Sequence, residues 1–312
     1  MSARCVLWVA QIGPVFKGAG RGEGRHGHCN VPGVNKPLAI LHANCQGEPL
    51  AAMLRTSPDF GPVFEPRVYL NYARQPIPQE DLERCGLFLY QYLGPDWGGL
   101  ASEALLARLP AGCPSLCIPN IFFRGPWPLW SGAPGFDYRD ELLDRLIDSG
   151  LPAQEVLRLY LTMPLEKKYD LDGRLRETVK IEQARQARTP VKYLNHVLEH
   201  WRSRPLFHTV NHPGAELLLL AARGIADRLG LAPPDGDKAP APGGIYADCD
   251  LPVHPQVAAH YGLKWAGPKT AFNVYGRRRT FTEYAVSYVA CRQAGVADFI
   301  AFLSAGREHG GA

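Results

Sequence analysis

Between residues 37 and 120 the chain repeats one pattern: a short apolar run, a turn, then a stretch with helical spacing. Leu38-Ala39-Ile40-Leu41 comes first. Ala43-Asn44-Cys45-Gln46-Gly47 follows, then residues 48–55 with Leu50, Met53 and Leu54 three and four positions apart. Pro49 falls near the first helical position, where its missing N–H costs nothing. Further runs at 67–70, 87–92 and 115–119 are separated by helical stretches at 79–84 and 99–109. Strands that are apolar throughout, rather than alternating, are buried on both faces, and alternation with helices predicts parallel βαβ units. The first ~120 residues therefore predict a small, mostly parallel open sheet with flanking helices, and the fold class is α/β.

Beyond Trp130 the texture is helical. Residues 138–149 carry Leu142, Leu143, Leu146 and Ile147, with Gly150 as the stop and Pro152 opening the next helix over 152–163. A charged, partly exposed helix is expected over 165–187, and an apolar stripe of Leu194, Val197, Leu198 and Trp201 over 191–201. Residues 205–210 read as a short extended segment. Pro213 opens a strong helix over 216–229 that Gly230 closes, and the last clear helix spans 282–293. Residues 252–255 and 270–275 read as irregular. The expected organisation is a flexible extension over 1–36 and one α/β domain over 37–312, sheet-rich to residue 130 and helix-rich from 131.

Composition narrows the function classes. Of 312 residues, 46% are hydrophobic and 21% charged, which excludes a coiled coil, a collagen-like rod and a wholly disordered chain. The 32 glycines and 28 prolines are about a fifth of the chain, against a usual ~12%, and they concentrate in loops. A net charge of +4, with basic residues interleaved among acids as in Arg139-Asp140-Glu141, gives no footprint for a nucleic-acid backbone. No run of ~18 apolar residues exists to form a membrane span. The apolar stretch at 5–10 is too short for a signal-peptide core. Eight cysteines lie scattered at positions 5, 29, 45, 85, 113, 117, 249 and 291. That is no disulfide framework, and it points to reduced thiols in the cytoplasm.

Three segments carry candidate chemistry. Cys45 follows a strand and precedes a helix. There the partial positive charge and open N–H groups of a helix N-terminus lower a thiol pKa and can hold an oxyanion, with Asn44 and Gln46 as flanking amides. The alternative is a thiol that only packs. Phe207-His208-Thr209-Val210-Asn211-His212-Pro213-Gly214 places His212 at an exposed strand-to-helix corner, which suits either a general base or a histidine that caps the corner. His208 reads as structural. Ile118 to Pro128 is an aromatic, proline-rich loop in which Arg124 could face an anion. Neither His196/His200, His208/His212 nor His26/His28/Cys29 brings enough ligands at suitable spacing, so no metal site is expected.

Asn44-Cys45-Gln46 after a strand, Ile118-Pro119-Asn120 through Pro128, Asn211-His212-Pro213 after Leu206-Phe207, and Phe281-Thr282-Glu283-Tyr284 through Tyr288 together resemble the WcbI family of polysaccharide biosynthesis proteins. The similarity runs in the same order from about residue 37 to about residue 293. It leaves out the N-terminal extension and the Pro-rich stretch 231–245. The resemblance implies an acetyltransferase of capsule assembly that takes acetyl-CoA as donor, holds coenzyme A without a metal, and uses a sugar or glycan hydroxyl as acceptor. By the same resemblance Cys45 and His212 are the reactive pair, with Asn44, Gln46 and Asn211 beside them. Arg124, Lys264 and Arg277 of the Arg277-Arg278-Arg279 run are charge-based candidates for the coenzyme A phosphates. Two routes follow: His212 deprotonates Cys45, which carries the acyl group, or His212 activates the sugar hydroxyl directly while Cys45 shapes the oxyanion site. An esterase-type hydrolase with the same residues, or a coenzyme A- or sugar-binding protein without catalysis, is the alternative.

Overall fold

A computed structural model describes residues 36–238, 246 and 248–305. The expectations for residues 1–35, including His26, His28 and Cys29, and for residues 239–245 of the Pro-rich stretch lie outside the described residues. The chain forms two compact units. Among the described residues, one comprises 36–120 with 188–192 and 218–238; the other comprises 121–187, 193–217, 246 and 248–305.

The first unit is built on four strands, β1 (Leu38–Ala43), β2 (Glu65–Leu70), β3 (Cys85–Tyr90) and β4 (Ser115–Cys117). They are ordered β2-β1-β3-β4 and all parallel. Every residue of β1 is buried, as a central strand covered on both faces must be. Helices α1 (Gly47–Arg55), α2 (Gln79–Glu83) and α3 (Ser102–Leu106) connect the strands. Leu38, Ile40, Phe88, Ile77, Leu82 and Leu105 form one continuous core cluster. Gly47 is required at the start of α1, because a Cβ there would meet Val68 Cγ1 at 2.7 Å and Ala43 Cβ at 3.2 Å.

Later segments complete this unit, which linear reading did not foresee. Thr189 Oγ1 donates to the Cys117 carbonyl of β4 at 2.8 Å. Val191 packs so tightly on Gly224 that a Cβ at Gly224 would meet Val191 Cγ1 at 2.7 Å. The Ser57 hydroxyl donates to the Ala232 carbonyl at 2.7 Å.

The second unit contains α4 (Glu141–Asp148), α5 (Ala153–Thr162), α6 (Leu165–Lys168), α7 (Leu171–Gln186) and α8 (Leu194–His200). The hairpin β5 (Phe207–Thr209) and β6 (His212–Pro213) precedes α9 (Ala215–Leu229). Then come α10 (Pro255–Tyr261), β7 (Ala271–Val274), β8 (Arg277–Thr280), α11 (Phe281–Gln293) and α12 (Phe299–Ser304). Its core is aromatic. Phe123 meets Trp201 edge-on with ring centroids 5.3 Å apart, and Phe136 stacks on Phe299 at 5.0 Å. Asp140 caps α4 by accepting from the Leu142 and Leu143 N–H groups and also accepts from the Tyr160 hydroxyl at 2.9 Å. A Thr280/Glu283 capping box starts α11.

Two expectations change here. The helix expected over 165–187 is two, because Asp170 breaks the run and caps α7 through the Gly173 N–H. The stretch read as irregular at 270–275 contains β7, paired antiparallel with β8, so Arg277-Arg278-Arg279 is a strand. Tyr275 and Gly276 both have positive φ (50° and 82°), the primed turn that matches strand twist, and Tyr-Gly hides the usual Asn-Gly signal. Helices α10 and α12 are each too short to show a strong period.

Candidate functional site

Strand order decides where a site forms in a parallel sheet. Here β1 has β2 on one side and β3 on the other, and the crevice at such a reversal lies beyond the carboxyl ends of the strands. Asn44-Cys45-Gln46 leaves the end of β1, and Gln91 follows the end of β3. Gln91 is 1% exposed and organises the turn. Its Oε1 accepts from the Asn44 backbone N–H at 2.8 Å. Its amide N–H groups face the Pro119 carbonyl at 3.2 Å, Asn44 Oδ1 at 3.3 Å and Gln46 Oε1 at 3.4 Å. Asn44 Nδ2 donates to Asn120 Oδ1 at 3.2 Å, and Asn44 Oδ1 accepts from the Gln46 backbone N–H at 2.9 Å.

Asn44 and Gln46, expected beside the reactive thiol, are both joined to this network, as buried amides pair where they can. Cys45 itself is half-buried, immediately before Gln46, the N-cap of α1. Cys45 therefore directly precedes the positive end of a nine-residue helix, where a thiol pKa is generally lowered. Next along β1, His42 is buried in the sheet. Its Nε2 has no hydrogen-bond partner among the described residues, and burial lowers its pKa to about 4.

In the second unit, His212 is half-buried in β6, not exposed at a helix start as expected. Its ring stacks on Tyr246, centroids 4.1 Å apart and planes 8° apart. Burial, with the nearby His208 charge second, lowers its pKa to about 4, so it is neutral at pH 7. Asn211 Oδ1 accepts from the Thr209 hydroxyl at 3.1 Å, fixing the tight connection between β5 and β6. His208, read from the sequence as structural, has its Nδ1 2.7 Å from Asp250 Oδ1. Both line a cleft of about 290 Å³ with Phe207, Gly214, Trp265 and Phe272.

Comparison with known proteins fits this geometry. The family described as polysaccharide biosynthesis enzyme WcbI matches residues 38–234, more than half of the chain. The chain belongs to the WcbI family. It is thus a member of a family of polysaccharide biosynthesis enzymes. A solved WcbI structure, described as the native protein without a disulfide bond between coenzyme A and one of its cysteines, shares the fold. Its TM-score is 0.67 at 17% identity, and the alignment covers 88% of this chain and 96% of that one. No curated protein matches.

Against the WcbI family segments, the structure ties Asn44 and Gln46 into one network around Cys45, with His212 and Asn211 on the β5–β6 hairpin of the other unit. The charge-based candidates are spread out. Arg124 lines a separate cleft of about 360 Å³ with Phe122, Trp130, Ile181 and Arg185. Lys264 is exposed after α10, and Arg277 is exposed in β8. Gln91, Asp250 and Tyr246 were not picked out from sequence, and Asn120 entered only as part of the segment from Ile118 to Pro128. Gln91 was absorbed into the run 87–92, and its polarity at the end of an apolar strand was the available signal. Among the described residues, no three or more His, Cys, Asp or Glu side chains gather to hold a metal, and no helix is long and apolar enough to cross a membrane.

Proposed function

We propose that this chain is a coenzyme A-dependent acetyltransferase that moves an acetyl group to a sugar hydroxyl in polysaccharide biosynthesis, through Cys45 and His212. The observation that carries the reading is the turn bearing Cys45, fixed at the switch point of a parallel sheet, before a helix N-terminus, by the Gln91-centred network. Membership of a polysaccharide biosynthesis family supports it, as does the pairing of coenzyme A with a cysteine in the description of the structural neighbour. A coenzyme A thiol near a protein thiol is the arrangement an acyl exchange needs: the Cys45 sulfur attacks the acetyl carbonyl, the C–S bond to coenzyme A breaks, and coenzyme A leaves as the thiol. The sugar oxygen then attacks the acyl-enzyme and Cys45 is regenerated. His212, neutral at pH 7, is in the form that can take the Cys45 thiol proton.

Mass spectrometry after incubation with acetyl-CoA tests the reading. A 42 Da adduct on Cys45, about one acetyl group, that discharges to an added sugar is the expected result. Discharge to water alone identifies a hydrolase. Coenzyme A binding without acyl exchange, unaffected by Cys45→Ala, identifies a binding protein and refutes the transferase.

A further inference from the structure

Two imidazoles lie on the hairpin side of the second unit, and their surroundings differ. His212 is stacked and desolvated, which makes it a weak base. His208 is held by a carboxylate: its Nδ1 lies 2.7 Å from Asp250 Oδ1, with 22% and 40% of the two side chains exposed. The carboxylate accepts a hydrogen bond from Nδ1–H, which orients the ring and directs Nε2 as its other polar edge. The Leu251 N–H donates to the His208 carbonyl at 2.8 Å, so the segment bearing Asp250 is pinned to the strand bearing His208. Nε2 lies 4.0 Å from where a Cβ on Gly214 would stand, so Gly214 flanks that edge of the ring.

The surrounding cleft is a built surface. Trp265 is anchored by its indole N–H, which donates to the Trp201 carbonyl at 2.8 Å. Phe272 is buried beside it on β7, and exposed Arg278 of β8 stands at the rim. A volume of about 290 Å³ lies at the small end of the ~300–1,000 Å³ typical of ligand sites, the size of one sugar ring rather than of a whole cofactor. Aromatic walls suit the C–H face of a pyranose, while an imidazole and a guanidinium suit its hydroxyl groups.

We propose that this cleft binds the acceptor sugar and that His208, oriented by Asp250, is the base that takes the proton of its attacking hydroxyl. The proposal rests on the acyl-transfer reading and names where its second substrate binds. In the step, the hydroxyl proton passes to His208 Nε2 as the oxygen forms the ester bond to the acyl carbon. The thioester C–S bond breaks, the sulfur leaves as thiolate, and the imidazolium returns the proton to give the thiol. Asp250 is a positioning residue in this scheme.

The experiment has two arms. In the first, diethyl pyrocarbonate modifies the protein near neutral pH, and peptide mass mapping follows each histidine. His208 reacts faster than His212, and Asp250→Asn slows the His208 reaction about tenfold; equal rates in parent and variant overturn the proposal. In the second, radiolabelled acetyl-CoA is offered with a panel of monosaccharides and glycosyl phosphates. His208→Gln lowers kcat by ~10²–10⁴-fold while coenzyme A binding, measured by calorimetry, is retained. Asp250→Asn lowers kcat with little change in acceptor KM, which a merely structural role would not produce. If the parent protein transfers acetyl and His208→Gln matches its kcat, the proposal is wrong and the acyl-transfer reading stands. If the parent transfers acetyl to nothing in the panel, the acyl-transfer reading fails and the acceptor role falls with it. The first arm then still reports whether His208 is a poised imidazole.

Discussion

His42 gives a sharp test of the sheet's interior. It is 1% exposed in the central strand, its Nε2 lacks a partner among the described residues, and desolvation lowers its pKa from 6.5 to about 4. The native state therefore keeps this imidazole neutral where the unfolded chain protonates it. Between pH 6.5 and about 4 the unfolded state binds more protons, so stability falls as pH falls through that window. The full shift corresponds to about 3 kcal/mol, of which about 2.5 kcal/mol is already expressed at pH 4.5 and almost none at pH 7.5. His42→Leu removes the titration and keeps the site apolar. Urea unfolding of parent and variant at pH 7.5 and 4.5, followed by circular dichroism, isolates the term, since the similarly lowered His212 and His254 are common to both proteins. The parent should lose about 2.5 kcal/mol more than the variant between the two pH values. Equal losses would show that His42 is solvated or paired in the folded protein, and the desolvation argument would fail.

Other perturbations follow from the same geometry. Gln91→Leu leaves the Asn44 N–H and the Pro119 carbonyl without a partner and should cost about 2–4 kcal/mol in urea unfolding, with a larger loss of acetyl transfer than of coenzyme A binding. Asp140→Ala removes the cap of α4 and the acceptor of the buried Tyr160 hydroxyl, and should destabilise the protein by about 2–4 kcal/mol. Gly224→Ala drives a methyl into Val191 and should cost about 1–3 kcal/mol; adding Val191→Ala should recover part of it, and strict additivity would refute the contact. Iodoacetamide at neutral pH should alkylate Cys45 faster than Cys117, whose thiol burial pushes up, as peptide mass spectrometry can follow.

Much was legible in the order of residues. The wholly apolar run at Leu38, the turn at Asn44-Cys45-Gln46 and the helical spacing after it specify a buried parallel strand and its crossover, because burial on both faces admits few polar residues. Local chemistry also set several ends: Gly150 and Gly230 take the positive φ that stops a helix (75° and 69°). Cys45, by its place between strand and helix, could be picked out before any contact was known. What remained hidden depends on distance along the chain. Gln91 reaches Asn44 across 47 residues and His208 reaches Asp250 across 42, and no periodicity reports such pairings. The hairpin carrying Arg277-Arg278-Arg279 was hidden because its partner strand is four residues long and its turn lacks Asn-Gly. Residues 188–192 and 218–238 join the sheet unit through contacts such as Thr189 with Cys117 that composition does not announce. The sequence determined that a thiol would sit at the mouth of a parallel sheet, since local patterning alone builds strand, turn and helix. Only the tertiary structure decided which amides hold that thiol and which imidazole receives a carboxylate, because those choices are made by side chains that meet after the chain has folded.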